Sequence, residues 1–163
     1  MTPPLDHVLR HNAWANKSLL EFCAALDPAA LDLSAAGTYG TLYGTLQHIV
    51  GGEQFYIRLM TGEWLGEPIH KTKRWQLAEL IATSELTGAR AIAIAASDDA
   101  DRGVDVHGNT TTVGILLTQL INHGNEHRAH ATTILGANAK ETPIISGWRY
   151  GIAAGISVHD GDA

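Results

Sequence analysis

The chain has 163 residues, of which 45% are hydrophobic, and it carries a formal net charge of −6 and a single cysteine, Cys23. It contains no run of about 18 apolar residues to cross a membrane, no signal-peptide pattern after Met1, and no lysine- or arginine-rich stretch to bind nucleic acid. A lone cysteine cannot form an internal disulfide, which is typical of a cytoplasmic protein. From these observations together we expect a cytoplasmic location and neither membrane nor nucleic-acid partners.

Two helices are predicted in the first half of the chain. Leu5 to Leu26 repeats apolar residues at helical spacing, and Thr41 to Met60 does so again. Residues 29–40 between them contain Asp, Ser and glycines and are predicted to form a loop. Gly51 and Gly52 fall inside the second helix, where each costs about 1 kcal/mol relative to alanine. We therefore expect a bulky group or another helix to approach closely there.

Two further helices are predicted in the second half. The third runs from Trp75 to Ala96, and the fourth runs from Thr111 to Leu135, with Asn109, Thr110 and Thr111 as candidates for its N-cap. Val104 to His107 is predicted as one short strand between them. The Gly-rich residues 137–163 are predicted to form a tail packed over one end, with a short helix near Gly151 to Ile156.

Four helices of about 20 residues without sustained strands predict an all-α protein built as a four-helix bundle. The predicted linkers, of about 10 to 15 residues, are longer than an up-down-up-down bundle needs, so at least one long crossover is expected. We expect residues 1–163 to form a single domain.

The predicted fourth helix carries three histidines within eight residues, His123, His127 and His130. At about 100° per residue they lie within a band of about 60°, on or beside which Leu116 and Leu120 also fall. An unpaired imidazole in a core is costly, and a metal ion is the partner that two imidazoles one turn apart suggest. The pairs His123/His127 and His127/His130 both satisfy this spacing, so spacing leaves the choice open.

His48 is the candidate for a third ligand, because it is the only histidine in the second predicted helix and has small residues around it. A three-histidine site leaves a coordination position open, where water or a thiol can lose its proton. Neutral imidazoles suit Zn, Ni, Co, Cu or Fe better than Mg or Ca. We expect zinc or nickel, with iron, cobalt and manganese as alternatives.

Other polar residues receive less direct predictions. Glu53, one turn beyond His48, is a candidate general base or hydrogen-bond acceptor behind the ligands, whereas Glu126 points away from the histidine face. Trp14 is predicted to be a core residue. The remaining histidines are predicted to be structural or surface residues: His7, His11, His70, His107 and His159.

Three stretches in succession resemble the DinB/YfiT-like proteins, a family of metal-binding four-helix bundles unrelated to the DNA polymerase that shares the DinB name. His11 to Asn16 is similar to the family's N-x-W-A-N motif, Leu46 to Val50 to its L-x-H-I motif, and Asn122 to Arg128 to its N-H-x-x-x-H-R-G-Q motif. The aromatic stretch Ser146 to Gly151 also resembles the C-terminal part of many members.

The resemblance implies that the ligands are His48, His123 and His127. It leaves the role of His130 open, because His130 and Ala129 stand where many relatives have Gln and Gly. It also implies a homodimer, since family members often pair through helix faces. Some relatives are transferases or isomerases that use a low-molecular-weight thiol such as glutathione, mycothiol or bacillithiol.

The leading hypothesis is a metal-dependent enzyme that acts on a small-molecule substrate. A thiol or water at the open position would be activated, so the protein would be a thiol-dependent S-transferase or isomerase, or a hydrolase. The alternative is a non-catalytic helical bundle that binds a ligand or a partner and keeps its metal for structure.

Overall fold

The fold is mostly helical, as predicted, and a small sheet joins the third long helix to the fourth. The computed structural model describes residues 3–97 and 99–157. In chain order these residues form α1 (Pro4–Ala24), a short 3-10 helix (Pro28–Asp32), α2 (Leu42–Thr61), α3 (Leu77–Ser97), β1 (Gly103–Val106), β2 (Asn109–Thr112), α4 (Val113–Ala137) and α5 (Gly147–Ala153). The prediction of an all-α chain is therefore corrected by the two strands.

The single strand predicted at Val104 to His107 is one half of an antiparallel hairpin. Its register runs from Gly103 opposite Thr112 to Val106 opposite Asn109. His107 and Gly108 form the two-residue turn with positive φ angles of 54° and 84°, as a tight hairpin requires. The second strand escaped prediction because its threonines favour strands but show no apolar alternation.

The ends of the helices follow ordinary capping chemistry. The hydroxyl of Thr41 accepts a hydrogen bond from the Gly44 amide at 3.0 Å, and Gly62 ends α2 in the left-handed region, which glycine adopts without strain. The predicted N-cap of α4 among Asn109, Thr110 and Thr111 is wrong. Thr112 caps this helix, since the three residues before it are paired in the sheet.

Other boundaries differ modestly from the predictions. The stretch 29–40 is not wholly a loop, because the 3-10 helix occupies its beginning and Asp27 caps that helix. The short C-terminal helix begins at Gly147 rather than near Gly151, with Ser146 as its N-cap.

Two apolar clusters lie toward opposite ends of the long helices. One joins the C-terminal parts of α1 and α4 to the N-terminal parts of α2 and α3, and the other joins the opposite parts of the same helices. Helix α1 packs mainly against α3, and α2 mainly against α4. Between the clusters lies a belt of buried polar side chains: Asn12, Asn16, Glu53, Gln54, Ser84, Thr87, His123, His127 and Arg128.

Two buried glutamines of α2 hold the connection 62–76 against that helix. The Gln47 amide donates to the carbonyls of His70 and Lys73, at 2.6 and 3.1 Å. The Gln54 amide donates to Leu65 at 2.8 Å and accepts from the Ile69 amide at 2.9 Å. This connection therefore forms a fixed wall beside α2 although it has no regular secondary structure of its own.

The described part of the C-terminal tail packs on α1, against residues near the middle of that helix. The ring of Tyr150 lies 5.8 Å from the rings of both His11 and Trp14, and His11 Nε2 lies 2.9 Å from the carbonyl oxygen of Ile145. Trp14, predicted as a core residue, is only partly buried and covers this contact. His159 lies outside the described residues. None of the helices in the described ranges is long and apolar enough to span a membrane.

Candidate metal centre

Three of the predicted ligands converge between α2 and α4. One nitrogen from each of His48, His123 and His127 can be chosen so that all three lie within 4.8 Å of one another. The ring centroids are separated by 4.5 to 4.7 Å, and the Nε2 atoms of His48 and His123 face each other at 3.1 Å. The three side chains therefore form a triangle of imidazoles of a size that one metal ion can occupy.

Gly52 makes room for this triangle. A Cβ atom at this position would lie no more than 3.0 Å from each of three atoms of the His123 ring. At the neighbouring Gly51, a Cβ would instead meet the Ile69 carbonyl oxygen at 3.2 Å. The close approach that the two mid-helix glycines predicted is thus present on both sides, with an imidazole on one and the connection 62–76 on the other.

The imidazoles are held neutral. Burial, with the neighbouring His123 and His127, lowers the pKa of His48 to about 4. Burial, with His127, lowers the pKa of His123 to about 4, and burial also lowers the pKa of His127. Neutral rings keep a lone pair free at neutral pH, which metal coordination requires.

The two buried histidines of α4 have only other histidines as hydrogen-bond partners among the described residues. His123 contacts His48, and His127 contacts His130 through two Nδ1 atoms 3.2 Å apart. Within residues 3–97 and 99–157, no carboxylate or backbone carbonyl accepts a hydrogen bond from these rings, and a cation in the triangle would supply the missing partner. The donor set and its burial therefore fit a transition-metal ion.

His130 lies beside the triangle without belonging to it. When His127 uses Nε2 toward an ion, its Nδ1–H can donate to His130 Nδ1, which fixes the tautomer of His127. The sequence left open whether His130 contributes to the site. In the structure it touches His127 and is not among the three converging histidines.

Tyr39 covers the triangle from the loop before α2. Its ring stacks on His48 with centroids 3.9 Å apart and planes 8° from parallel, and its edge meets His127 at 5.0 Å. The side chain keeps 36% of its surface exposed. Sequence reasoning missed Tyr39, since nothing in residues 29–40 indicates that this loop folds back over α2.

A cavity of about 530 Å³ opens beside the triangle, and His48 and His123 form part of its wall. Aromatic side chains and glycines of α2 make up much of the lining, and the connection 62–76 closes one side. A volume of this size lies within the range of small-molecule pockets. The candidate metal centre thus faces a space large enough for a substrate.

Glu53, the candidate general base, belongs to a different cluster. Its carboxylate accepts hydrogen bonds from Asn12 at 2.9 Å, from Asn16 at 3.4 Å and from Thr87 at 2.5 Å. Arg128 donates to the side-chain oxygens of the same two asparagines, at 2.7 and 2.6 Å. Two amides therefore bridge the guanidinium and the carboxylate, and all four long helices contribute to the network.

Burial is the largest influence on the pKa values of Glu53 and Arg128 in this network. It raises the pKa of Glu53, against the hydrogen bond from Thr87 and the charge of Arg128, and it lowers the pKa of Arg128 to about 10, against the charge of Glu53. Arg128 therefore remains a cation at neutral pH. Among the described residues, the side-chain hydrogen bonds of Glu53 all go to this network rather than to an imidazole, so the geometry favours a structural role for this carboxylate.

Gly124 accommodates the network as Gly52 accommodates the triangle. A Cβ atom at Gly124 would lie 2.7 Å from the Asn12 side-chain oxygen and 2.9 Å from Arg128 Nη1. In the sequence, Asn12, Asn16 and Arg128 were noted only as parts of the family motifs, and no contact among them was predicted. Their shared signal is that each polar side chain occupies a helix face that is otherwise apolar.

Comparison with protein families matches residues 1–150 to the DinB family. Among solved structures, the chain resembles a DinB-like protein from Bacillus cereus with a TM-score of 0.64 and 20% sequence identity. That alignment covers 82% of this chain and 90% of the other, and at this identity it supports the fold alone. A search of curated proteins found no similar sequence.

Proposed function

The chain belongs to the DinB family, and from that premise we propose that it is a metal-dependent enzyme whose ion is held by His48, His123 and His127. The observation that carries the proposal is the convergence of three neutral, largely buried imidazoles within 4.8 Å beside a cavity. The donor set favours zinc or nickel, with iron, cobalt and manganese as alternatives.

Three histidine ligands leave part of the coordination sphere to an exogenous molecule. When bound, such an ion supplies Lewis acidity, which lowers the pKa of a coordinated water or thiol and so provides a nucleophile at neutral pH. We propose thiol-dependent transfer or isomerisation, or hydrolysis, of a small-molecule substrate as the reaction class.

The protein's own residues would prepare this chemistry. Tyr39 stacks on His48 and fixes the plane of that ring, and His130 would fix the tautomer of His127. The largely apolar lining of the cavity would keep bulk water away from a bound substrate, which strengthens electrostatic interactions there. These contacts orient the ligands and leave the side of the triangle that faces the cavity available.

In the alternative hypothesis the metal would hold the helices together, but the Glu53–Arg128 network already fills that role. That network already links the four long helices by hydrogen bonds that involve no metal. A structural ion is most needed where a small chain lacks such a core. The helices therefore have a source of cohesion that is independent of the histidine triangle.

Metal content tests the proposal directly. After incubation with zinc or nickel and desalting, the wild type should carry about one ion per chain, whereas His48→Ala and His127→Ala should carry almost none. His70→Ala, at an exposed position, is the matched control and should bind like the wild type. A wild type that retains no metal would sink the proposal.

A cobalt-loaded sample separates the enzyme from the structural alternative. Addition of 2-mercaptoethanol should produce a thiolate-to-cobalt absorption band if a coordination position is open. An unchanged spectrum at saturating thiol and across neutral pH, together with loss of the fold when the metal is removed, would support the structural metal instead.

The arrangement of the helices and the oligomeric state are also part of the proposal. We propose a four-helix bundle in which the connection 62–76 is the long crossover. The N-terminal parts of both α2 and α3 contribute to one apolar cluster, which supports parallel directions for these two helices. A homodimer and a cytoplasmic location stay predictions, and the mass of the protein in solution tests the first of them.

A further inference from the structure

The cavity beside the histidines has an unusual balance of charge for an acidic protein. The chain carries a net charge of −6, yet no aspartate or glutamate is among the described residues that line this cavity. Its walls are largely aromatic and aliphatic, and they include one lysine and no arginine among the described residues. The lining residues that matter here are Tyr39, Tyr43, Phe55, Tyr56, Ile69 and Lys71.

Lys71 differs from the two basic residues that follow it. Lys73 Nζ lies 3.1 Å from a Glu67 oxygen, and Arg74 lies 3.4 Å from an Asp32 oxygen. Lys71 forms no ion pair with a carboxylate of the described residues, and its ammonium lies 5.2 Å from the centroid of the Tyr39 ring. The charge of Lys71 is therefore available at the rim of the cavity, while its neighbours are neutralised locally.

The position of Lys71 is fixed by the backbone around it. The side chain of Gln47 donates to the carbonyls of His70 and Lys73, one on each side of the lysine. The Tyr39 ring below Lys71 also stacks on His48. A single row of contacts thus leads from the ammonium through Tyr39 to the histidine triangle.

We propose that this cavity binds an aromatic acid, with the flat apolar body against Phe55, Tyr56 and Ile69 and the anionic group paired with Lys71. The inference rests on the proposed function in that it names the substrate class of the same site. Flat rings gain stacking and apolar burial on such walls, and an ammonium at the rim selects an oxyanion over a neutral group. Lys71 is thereby a residue that determines specificity.

The test uses 2-naphthoate and 2-naphthamide, which share one ring system and differ in charge. Titrations of the zinc-loaded, ¹⁵N-labelled protein should shift the amide signals of Gly51 and Gly52, which lie in the wall of the cavity. Because a partly exposed ion pair contributes modestly, the naphthoate should bind about three- to fivefold more tightly than the amide. The Trp148 indole signal reports binding at the surface near α5 instead.

Substitutions at two neighbouring lysines isolate the contribution of Lys71. Lys71→Met should remove the preference for the acid, and Lys71→Arg should keep most of it. Lys73→Met removes the same charge from the same connection and should leave the preference unchanged. Equal affinities for the two probes in the wild type, equal effects of the two methionine variants, or shifts confined to Trp148 would overturn the inference.

Metal-free protein separates this inference from the proposed function. The acid should still be preferred without zinc, because the recognising charge belongs to Lys71. A preference that vanishes on zinc removal and survives in Lys71→Met would assign the selection to the ion and overturn the inference. Absence of zinc binding, in contrast, would overturn the proposed function and leave the preference measurable.

Discussion

Two polar clusters meet in the middle of α2 and α4, yet they are built on opposite principles. His127 belongs to one and Arg128 to the other, and on α2 Gly52 faces the first while Glu53 belongs to the second. In the Glu53–Arg128 network the two charges are linked through hydrogen-bonded amides. In the histidine triangle the imidazoles face one another, and no anionic or carbonyl acceptor in the described part of the chain joins them.

The difference implies that one cluster stabilises the fold, whereas the other is available to bind a ligand. A buried polar group is tolerated when hydrogen bonds replace its lost water, as they do for Glu53 and Arg128. The histidines have no such hydrogen bonds in place of the water they lose. Their burial therefore destabilises the metal-free fold, and a bound ion can offset this cost. A chain that places both clusters side by side can keep its helices together through one and reserve the other for a ligand.

The largest expected effect comes from breaking the closed cluster. Arg128→Met would leave the Glu53 carboxylate buried without its countercharge and two asparagine oxygens without a donor. We expect the free energy of unfolding to fall by about 3–5 kcal/mol, measured by urea denaturation of metal-free protein. Arg90→Met, at an exposed position on α3, should change it by less than about 0.5 kcal/mol.

A second substitution tests whether the lost stability comes from the unpaired carboxylate. Glu53→Gln in the Arg128→Met background removes the stranded charge, so the double variant should regain part of the lost stability. A single Arg128→Met variant as stable as the wild type would show that the network does not hold the helices together.

The next effect should appear in the open cluster, without a comparable loss of stability. Gly52→Ala places a methyl group against the His123 ring, and this terminal ring can yield by rotating away from the triangle. Overpacking of this kind costs about 1–3 kcal/mol, and we expect zinc affinity to fall about 10- to 100-fold, measured by competition with a chelating dye. Gly136→Ala is the control, because a Cβ there meets nothing within 4 Å. Unchanged affinity in Gly52→Ala would argue against ligation by His123.

His130 should have a smaller influence on the same affinity. Its contact with His127 orients a proposed ligand without contributing a nitrogen to the triangle. His130→Ala should weaken zinc binding about tenfold, as measured by the same competition assay, and His70→Ala should not. A loss as large as that of His48→Ala would mean that His130 is itself a ligand.

The smallest expected effect is on the pH dependence of the metal-free protein. The pKa values of His48 and His123 are lowered from 6.5 to about 4 in the folded state. As pH falls from 6.5 toward 4, the unfolded chain therefore takes up protons that the folded chain refuses, and stability declines. His48→Gln should lose less stability than the wild type between these limits in urea titrations, whereas His70→Gln should follow the wild type. Parallel curves for all three would contradict the lowered pKa of His48.

Much of this arrangement could be predicted from local patterns. The helical spacing of apolar residues gave α1 to α4 to within a few residues, because each helix must turn one face toward a core. The second strand of the hairpin could not be found in this way, since the threonines of β2 lack an apolar alternation. Tyr39 and Lys71 could not be found either, because both lie in irregular connections whose path depends on side chains far away in the chain.

The sequence by itself determined that His123 and His127 share a face, because their spacing of one helical turn is a property of any α-helix. It also singled out His48 as the third candidate, because no other histidine lies in the second predicted helix, and the resemblance to a family then favoured His123 and His127 over His130. Only the tertiary structure decided the rest. It brought His48 to the other two, linked Glu53 to Arg128 through two asparagines rather than to an imidazole, and left Lys71 beside the cavity. The physical reason is that periodicity fixes which side chains share one surface, whereas packing alone fixes which surfaces meet.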